Sequence, residues 1–428
     1  MSFNISLSGL NSASSDLDVT SNNIANSGTV GFKGSRAEFA DVFAQTQFGI
    51  ASNAIGSGSR LQNVAQQFTQ GQFDFTGNNL DLAVNGEGFF RLQDNDGSVS
   101  YTRNGAFQLN QDGVVENADG RALTGYPADG DGNVGGTLQP LSIDTGNVPP
   151  QATTAIDIDA NLQSNADGLD PTNFDVNDPE TFNFSTSTTV YDGQGTSRSA
   201  NIYFVKDEGE ENEWLSVVEI GDQLIGIDDP DNPDPDEMFR VAFNSDGSFD
   251  SVVPGPGAGN DAQDTSASSI DFEYDPGDGL DPQRIEVDYG ALTQFGTPSA
   301  VNELTQNGFE AGEFSSLDIE EDGTVFGRYT NGESLQLGRV ATARFPSEQN
   351  LTEVGDNLWL ESAESGEPIL GQPTTSGLGG IQSGALEQSN VDITEQLVNM
   401  ITAQRNFQAN AQMISTQDQV TQEILNIR

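Results

Sequence analysis

Cysteine and histidine are both absent from the 428 residues. No disulfide can cross-link the fold, and no Cys-ligated zinc or iron–sulfur centre can form. Ser-His-Asp and Cys-His catalytic arrangements are excluded with them. Bases are scarce: 15 Lys and Arg stand against 66 Asp and Glu, a formal net charge of −51. That balance argues against nucleic acid as a partner, because phosphates are met by basic surface. Tryptophan occurs only at 214 and 359, so the aromatic platforms of a sugar site are thin. Carboxylates are so abundant that pairing alone cannot point to glycoside hydrolysis. No GxxxxGK[ST] phosphate loop occurs, and no run of about 18 apolar residues that would insert into a membrane. The opening MSFNISLSGLNSASSDLD has neither a basic start nor a continuous apolar stretch, so no cleaved secretory signal is expected. Nothing here calls for a cofactor, a metal or an enzymatic activity.

What is abundant is acid, and it is unevenly placed. Residues 151–284 hold 30 acidic against four basic residues, whereas residues 1–50 and 391–428 each hold four against two. A packed segment cannot carry the first density without pairing. The acidic middle should therefore face solvent and the two ends should face protein. At about 0.1 M salt the Debye length is about 10 Å, and at about 1 M it is about 3 Å. Self-repulsion of this size suits a protein that works in high salt.

Both ends show helical periodicity. Phe3, Leu7, Leu10, Ser14, Leu17, Ser21 and Ile24 are spaced 4-3-4-3-4-3, which predicts a helix over 3–27 stopped by Gly28 and Gly31. Ile393, Leu397, Met400, Gln404, Phe407, Ala411 and Ile414 repeat the spacing and predict a helix from about 391 to 427, with Asp392 or Asn390 as cap. A narrow apolar stripe cannot stabilise one helix alone. Two such helices can cover each other as a simple hairpin, or as a coiled coil that also packs on neighbouring subunits. The other faces are crowded with neutral Asn, Gln, Ser and Thr, which favours the second arrangement. In a free monomer these helices are expected to be poorly ordered and to be trimmed by protease, leaving about 70–360.

Between the helices the pattern is β. Short alternating runs at 81–84, 88–92, 155–160, 200–205, 285–289 and 339–345 are separated by Gly, Asn and Asp turns. DGVVENADG at 112–120 is echoed by DGTVFGRYTNG at 322–332. Two such hairpins fit one domain built from both sides of an insertion. The fold class expected is mainly β with helical termini that pack together, the outer β domain being inserted in the inner one. The boundaries expected are 1–27 with 391–428 for the helices and 28–70 with 361–390 for an irregular connection. The inner β domain takes 71–150 with 285–360, and the acidic outer domain 151–284. Phenylalanines 32, 39, 43, 48 and 68 in the connection serve either packing or an intersubunit strip. The loop DGDGNVGGTLQP at 129–140 starts like a calcium site with Asp129, Asp131 and Asn133, but Val134 and Pro140 stand where Gly and Glu are needed. The run at 228–237 reads as a solvated turn.

Three blocks resemble the flagellar axial proteins, the rod and hook subunits. The first is NNIANSGTVGFK, with Asn22, Asn26, Gly31, Phe32 and Lys33. The second is NGEGFF, with Gly86, Gly88, Phe89 and Phe90, followed by YTRNGAF at 101–107. The third is the C-terminal block from Ser389 onward. Together they cover about a third of the chain. Length and the insertion, which is similar by position only to the outer domain of hook subunits, favour a hook subunit over a shorter distal rod-type subunit. A secreted acidic β-rich surface or adhesion protein is the reading from another class, and it would not need heptad helices at both ends.

The resemblance implies a structural role in motility. Copies of the chain would polymerise into a short curved tube that couples rod to filament and transmits torque. It also implies as partners the distal rod, the hook cap, the hook–filament junction proteins and the flagellar type III exporter, with location in the extracellular hook. Leu7, Leu10, Leu17, Ile24, Leu397, Ile401, Phe407 and Ile414 are then expected to hold the tube core. Outer domains that slide past one another need small, polar, wet contacts, which an acidic face without apolar patches provides.

Overall fold

A computed structural model describes residues 2–42, 56–129, 134–209, 212–221, 223–225, 237–254, 262–266, 268–277 and 279–426. Phe43, Phe48, Asp131, Asn133 and the acidic run at 228–236 lie outside the described residues. The chain is mainly β, with one long helix near each end, and it forms two compact units. The first comprises 1–145, 316–328 and 334–428; the second comprises 146–315 and 329–333.

In the first unit the two helices are α1 (Ser2–Ala25) and α2 (Ile393–Asn426), and they pack on each other. Asp392 caps α2, its Oδ1 accepting from the Thr394 and Glu395 amides at 2.7 and 3.3 Å. The largest sheet of this unit places strand Ala122–Pro127 beside both Phe89–Gln93 and Ser334–Val340, and three two-stranded pairs accompany it among the described residues. The two echoed hairpins meet there. Glu116 of the first pairs with Ala122, and Thr324 of the second pairs with Arg339. Phe68, Phe89 and Trp359 form an edge-to-face cluster with centroids 5.6–5.7 Å apart, and Tyr101 and Phe345 meet at 4.7 Å.

The connecting region is more regular than expected. Strands Ser35–Asp41 and Ser59–Gln66 form an antiparallel pair against α1, and Gln66 Oε1 accepts from the Trp359 indole at 2.7 Å. Ser35, Ser59 and Gln66 of the pair have partners in the fold, which the Gly- and Gln-rich composition did not disclose. Phe32 and Phe68 serve packing; Phe39 stays exposed.

The second unit is a sandwich of two sheets over a shared core, with a second, smaller cluster that includes Phe174, Leu215 and Met238. One sheet contains Phe184–Tyr191, Ser197–Lys206, Glu213–Ile220, Phe239–Phe243 and Phe249–Val253. The other is centred on Ala155–Gln163, which runs parallel to Gln283–Asp288 and antiparallel to Ala300–Gln306. Ile156, Ile158, Ala160 and Leu162 point inward to Phe204, Trp214, Val241 and Phe272. The unit closes at Ser315 and not at 284, because Ile285, Val287 and Tyr289 belong to this same core. Acidity falls off after 284, but core membership decides the boundary. On the outward face Asp157 stands in register with Asp288, and Asp159 with Glu303. Like charges directly opposite each other on a sheet are destabilising.

Candidate assembly interface

The terminal helices meet along a seam that is small and polar on α1 and mixed on α2. On α1 the most buried positions are Ser6, Ala13, Thr20 and Asn23. On α2 the less exposed positions are Gln396, Met400, Ala403, Phe407, Asn410, Ala411, Ile414 and Gln417. A Cβ on Gly9 would come within 2.9 Å of Asn410 Cγ, so the backbones approach closely there. Asn23 Nδ2 donates to Gln396 Oε1 at 3.3 Å.

This seam is not the stripe that the sequence spacing marks out. On α1 it lies about one residue N-terminal to the stripe. On α2 it keeps Met400, Phe407, Ala411 and Ile414 but replaces Leu397 by Gln396 and Gln404 by Ala403. The seam itself keeps a seven-residue repeat, and on α1 it is the small residues that take the close approach. The larger apolar residues are left outside. Leu7 is 41% exposed, Leu397 45% and Ile401 49%, with Phe3, Ile393 and Val398 beside them in the exposed class. Leu10, Leu17, Ile24, Phe407 and Ile414 are half-buried.

Beyond the helix ends, the sequence blocks that look unrelated in the chain converge on one buried ion cluster. Asn26 donates to Asn22 at 3.1 Å and closes the last turn of α1. Gly31 then turns the chain with φ of +70°, and a Cβ there would lie 2.6 Å from the Asn104 amide nitrogen. The turn delivers Phe32 and Lys33 to the interior. Lys33 Nζ meets Glu387 Oε1 at 2.7 Å and donates to the Thr69 carbonyl at 2.9 Å. Glu387 Oε1 also accepts from the Gly71 amide at 2.8 Å, and its Oε2 from Arg103 Nη1 at 3.3 Å.

Arg103 donates in turn to the Gly86 carbonyl at 2.9 Å and lies over the Phe89 ring, 5.2 Å from its centroid. Gly86, at φ of +114°, lets that carbonyl face the guanidinium. Gly88 also has positive φ, and Phe89 and Phe90 are fully buried. Lys33 and Glu387 are fully buried and Arg103 nearly so. Burial, with Arg103 adding to it, pulls the Lys33 ammonium below the usual lysine range, against the opposing pull of Glu387. Half-buried Glu348 is held above the usual carboxylate range by its own burial.

Asn23, Arg103 and Glu387 escaped the sequence reading as individual residues. A signal existed for Glu387: it is the only charged residue between Glu367 and Asp392. Among the described residues no group of three or more acidic side chains is placed to hold a metal ion, and no helix is long and apolar enough to cross a membrane.

The chain is similar to known proteins along its whole length. It is 36% identical over 436 residues to the flagellar hook protein FlgE of Escherichia coli K12, covering 100% of both chains. It belongs to the flagellar hook protein FlgE family. The FlgE of Salmonella typhimurium LT2 is 37% identical with 100% coverage of both chains, and that of Borreliella burgdorferi 30% with 99% and 98%. The family descriptions fall along the chain in order. A flagella basal body rod protein segment matches 3–33, and a flagellar hook protein FlgE/F/G D1 domain matches 83–166. A flagellar basal body protein FlaE D2 domain matches 158–309, and a flagellar basal body rod FlgEFG C-terminal segment matches 382–427.

The crystal structure of Helicobacter pylori flagellar hook protein FlgE2 shares the fold, with TM-score 0.52 and 15% identity over 74% of this chain and all of that one. The D2 match ends at 309, beyond 284, and so includes the strands that complete the sandwich core. Full-length similarity to hook proteins also separates the chain from a shorter rod-type subunit and from an adhesin.

Proposed function

We propose that the chain is the structural subunit of the flagellar hook, polymerising with itself through the apolar residues that its own helix pair leaves uncovered. The observation that carries this reading is the exposure of Leu7, Leu397 and Ile401 on helices that already pack on each other along another line of residues. Covering the exposed half of a side chain of this size stabilises by about 1 kcal/mol, so several of them repeated at every contact can hold a tube. Leu10, Leu17, Ile24, Phe407 and Ile414 lie half-buried beneath and support that surface. Among the described acidic residues of the second unit all but Asp192 keep some exposure, and contacts between copies made through them stay polar and wet.

In this reading the tube transmits torque while it bends. The distal rod, the hook cap and the hook–filament junction proteins adjoin it at its ends and during growth. The type III exporter delivers the subunit without signal cleavage. The test is the double substitution Leu397→Asp/Ile401→Asp. The purified variant is expected to keep its far-ultraviolet circular dichroism and unfolding midpoint. Cells relying on it should lose hooks in electron micrographs. Hooks of normal number and length would overturn the reading.

A further inference from the structure

The helix seam cannot by itself decide how far α1 and α2 are slid along each other. Ser6, Ala13 and Thr20 recur every seven residues on α1, and Met400, Phe407 and Ile414 do so on α2. A slip of one or two turns brings similar residues opposite one another. The amides offer little correction, because α2 carries Asn or Gln at 396, 399, 404, 406, 408, 410, 412 and 417. The Asn23–Gln396 hydrogen bond can be exchanged for an equivalent one a turn away. Charge is different. Among residues 2–25 there is no Lys or Arg, and α2 has only Arg405.

We propose that the buried Lys33–Glu387 ion pair is the lock that fixes the axial register of the two terminal helices. Lys33 follows α1 through the turn at Gly31, and Glu387 precedes Ile393, the first residue of α2. Each is fully buried and has one oppositely charged route to the other helix. Glu387 is anchored besides by its strand, where it pairs with Phe73, and by its carbonyl, which accepts from the Gly31 amide at 2.7 Å. A slip of one turn would move α2 by about 5.4 Å and strip one buried charge of its partner. Arg103 holds Glu387 from the other side but sits on the β body, so it orients the carboxylate without tying the helices. Lys33 and Glu387 are thus positioning residues, and their contribution is uniqueness of register more than stability.

The absence of cysteine gives a clean test in the full-length chain. A Gly9→Cys/Asn410→Cys pair reports the native register, because a Cβ at 9 already reaches the side chain at 410. A Gly9→Cys/Ile414→Cys pair reports a slip of one turn. With Lys33 present, oxidation is expected to cross-link the first pair and not the second. Lys33→Met leaves Arg103 and Glu387 as a neutral pair. It should keep the unfolding midpoint while losing most of the native cross-link and gaining the slipped one. Lys33→Arg should restore the native pattern. If Lys33→Met does not fold, the apolar triple Lys33→Met/Arg103→Met/Glu387→Leu is used, since a well-packed apolar replacement of a buried ion cluster is often tolerated. A native cross-linking pattern in the folded variant would overturn the lock.

Discussion

Asp16 shows how little the helix seam tolerates charge. It lines a polar cleft of about 300 Å³ with Thr20, Glu395, Gln396 and Asn399, and burial holds its carboxyl above the usual carboxylate range. In the window between the ordinary and the raised value, Asp16 is protonated in the folded chain and ionised in the unfolded one. The helix pair therefore gains stability as pH falls through that window and loses it as pH rises. Asp16→Asn should remove this dependence. Hydrogen exchange of α1 amides between about pH 4 and pH 7 would show it, as protection that varies with pH in the parent and is flat in the variant. Gly31 makes the complementary point, since its positive φ and the nearness of Asn104 leave no room for a side chain where the chain enters the ion cluster.

At the scale of elements, the helices are the least self-sufficient parts. Most of α2 is exposed, and a helix without a covered face is marginal. Limited proteolysis of the monomer is expected to cut within α2 and then α1 and to leave a fragment of about 28–390, longer than the fragment of about 70–360 expected from the sequence because strands on both sides of the ion cluster are folded in; the pairing of the helices should slow this cleavage and assembly should abolish it. Mass spectrometry of the fragments checks it, and a protease-resistant α2 in a proven monomer would count against the account. The same elements show what was legible in the sequence. Periodicity located both helices to within two residues at each end, and alternation located Leu82–Asn85, Phe89–Gln93 and Ala155–Gln163. Their partners were not legible. That Gln283–Asp288 pairs with Ala155–Gln163, and so belongs to the second unit, depends on a long-range contact that alternation cannot encode. The apolar stripe was legible as a stripe, but its exposure was not, because spacing alone does not say whether Leu397 or Gln396 turns inward. The motif glycines and Lys33 were visible, yet their convergence on Glu387 needed the fold.

At the scale of the molecule, charge and chain order set the behaviour. The facing carboxylates Asp157 with Asp288 and Asp159 with Glu303 add local repulsion to an already acidic unit. Raising NaCl from about 0.1 to about 1 M should raise the unfolding midpoint by screening. Asp157→Asn/Glu303→Gln should raise the midpoint at low salt and flatten the salt slope; calorimetry with an unchanged slope would refute this. Sequence order has another consequence. Asn23 and Gln396, which touch across the helix seam, are 373 positions apart, and Lys33 and Glu387 are 354 apart. Closing so large a loop is entropically slow, and the helix pair cannot begin to form until nearly all of the chain is available. While the ribosome is still working, α1 has no partner and the surface built on both helices does not exist. If copies assemble through the helix pair, as proposed, topology alone postpones that step until α2 has been made.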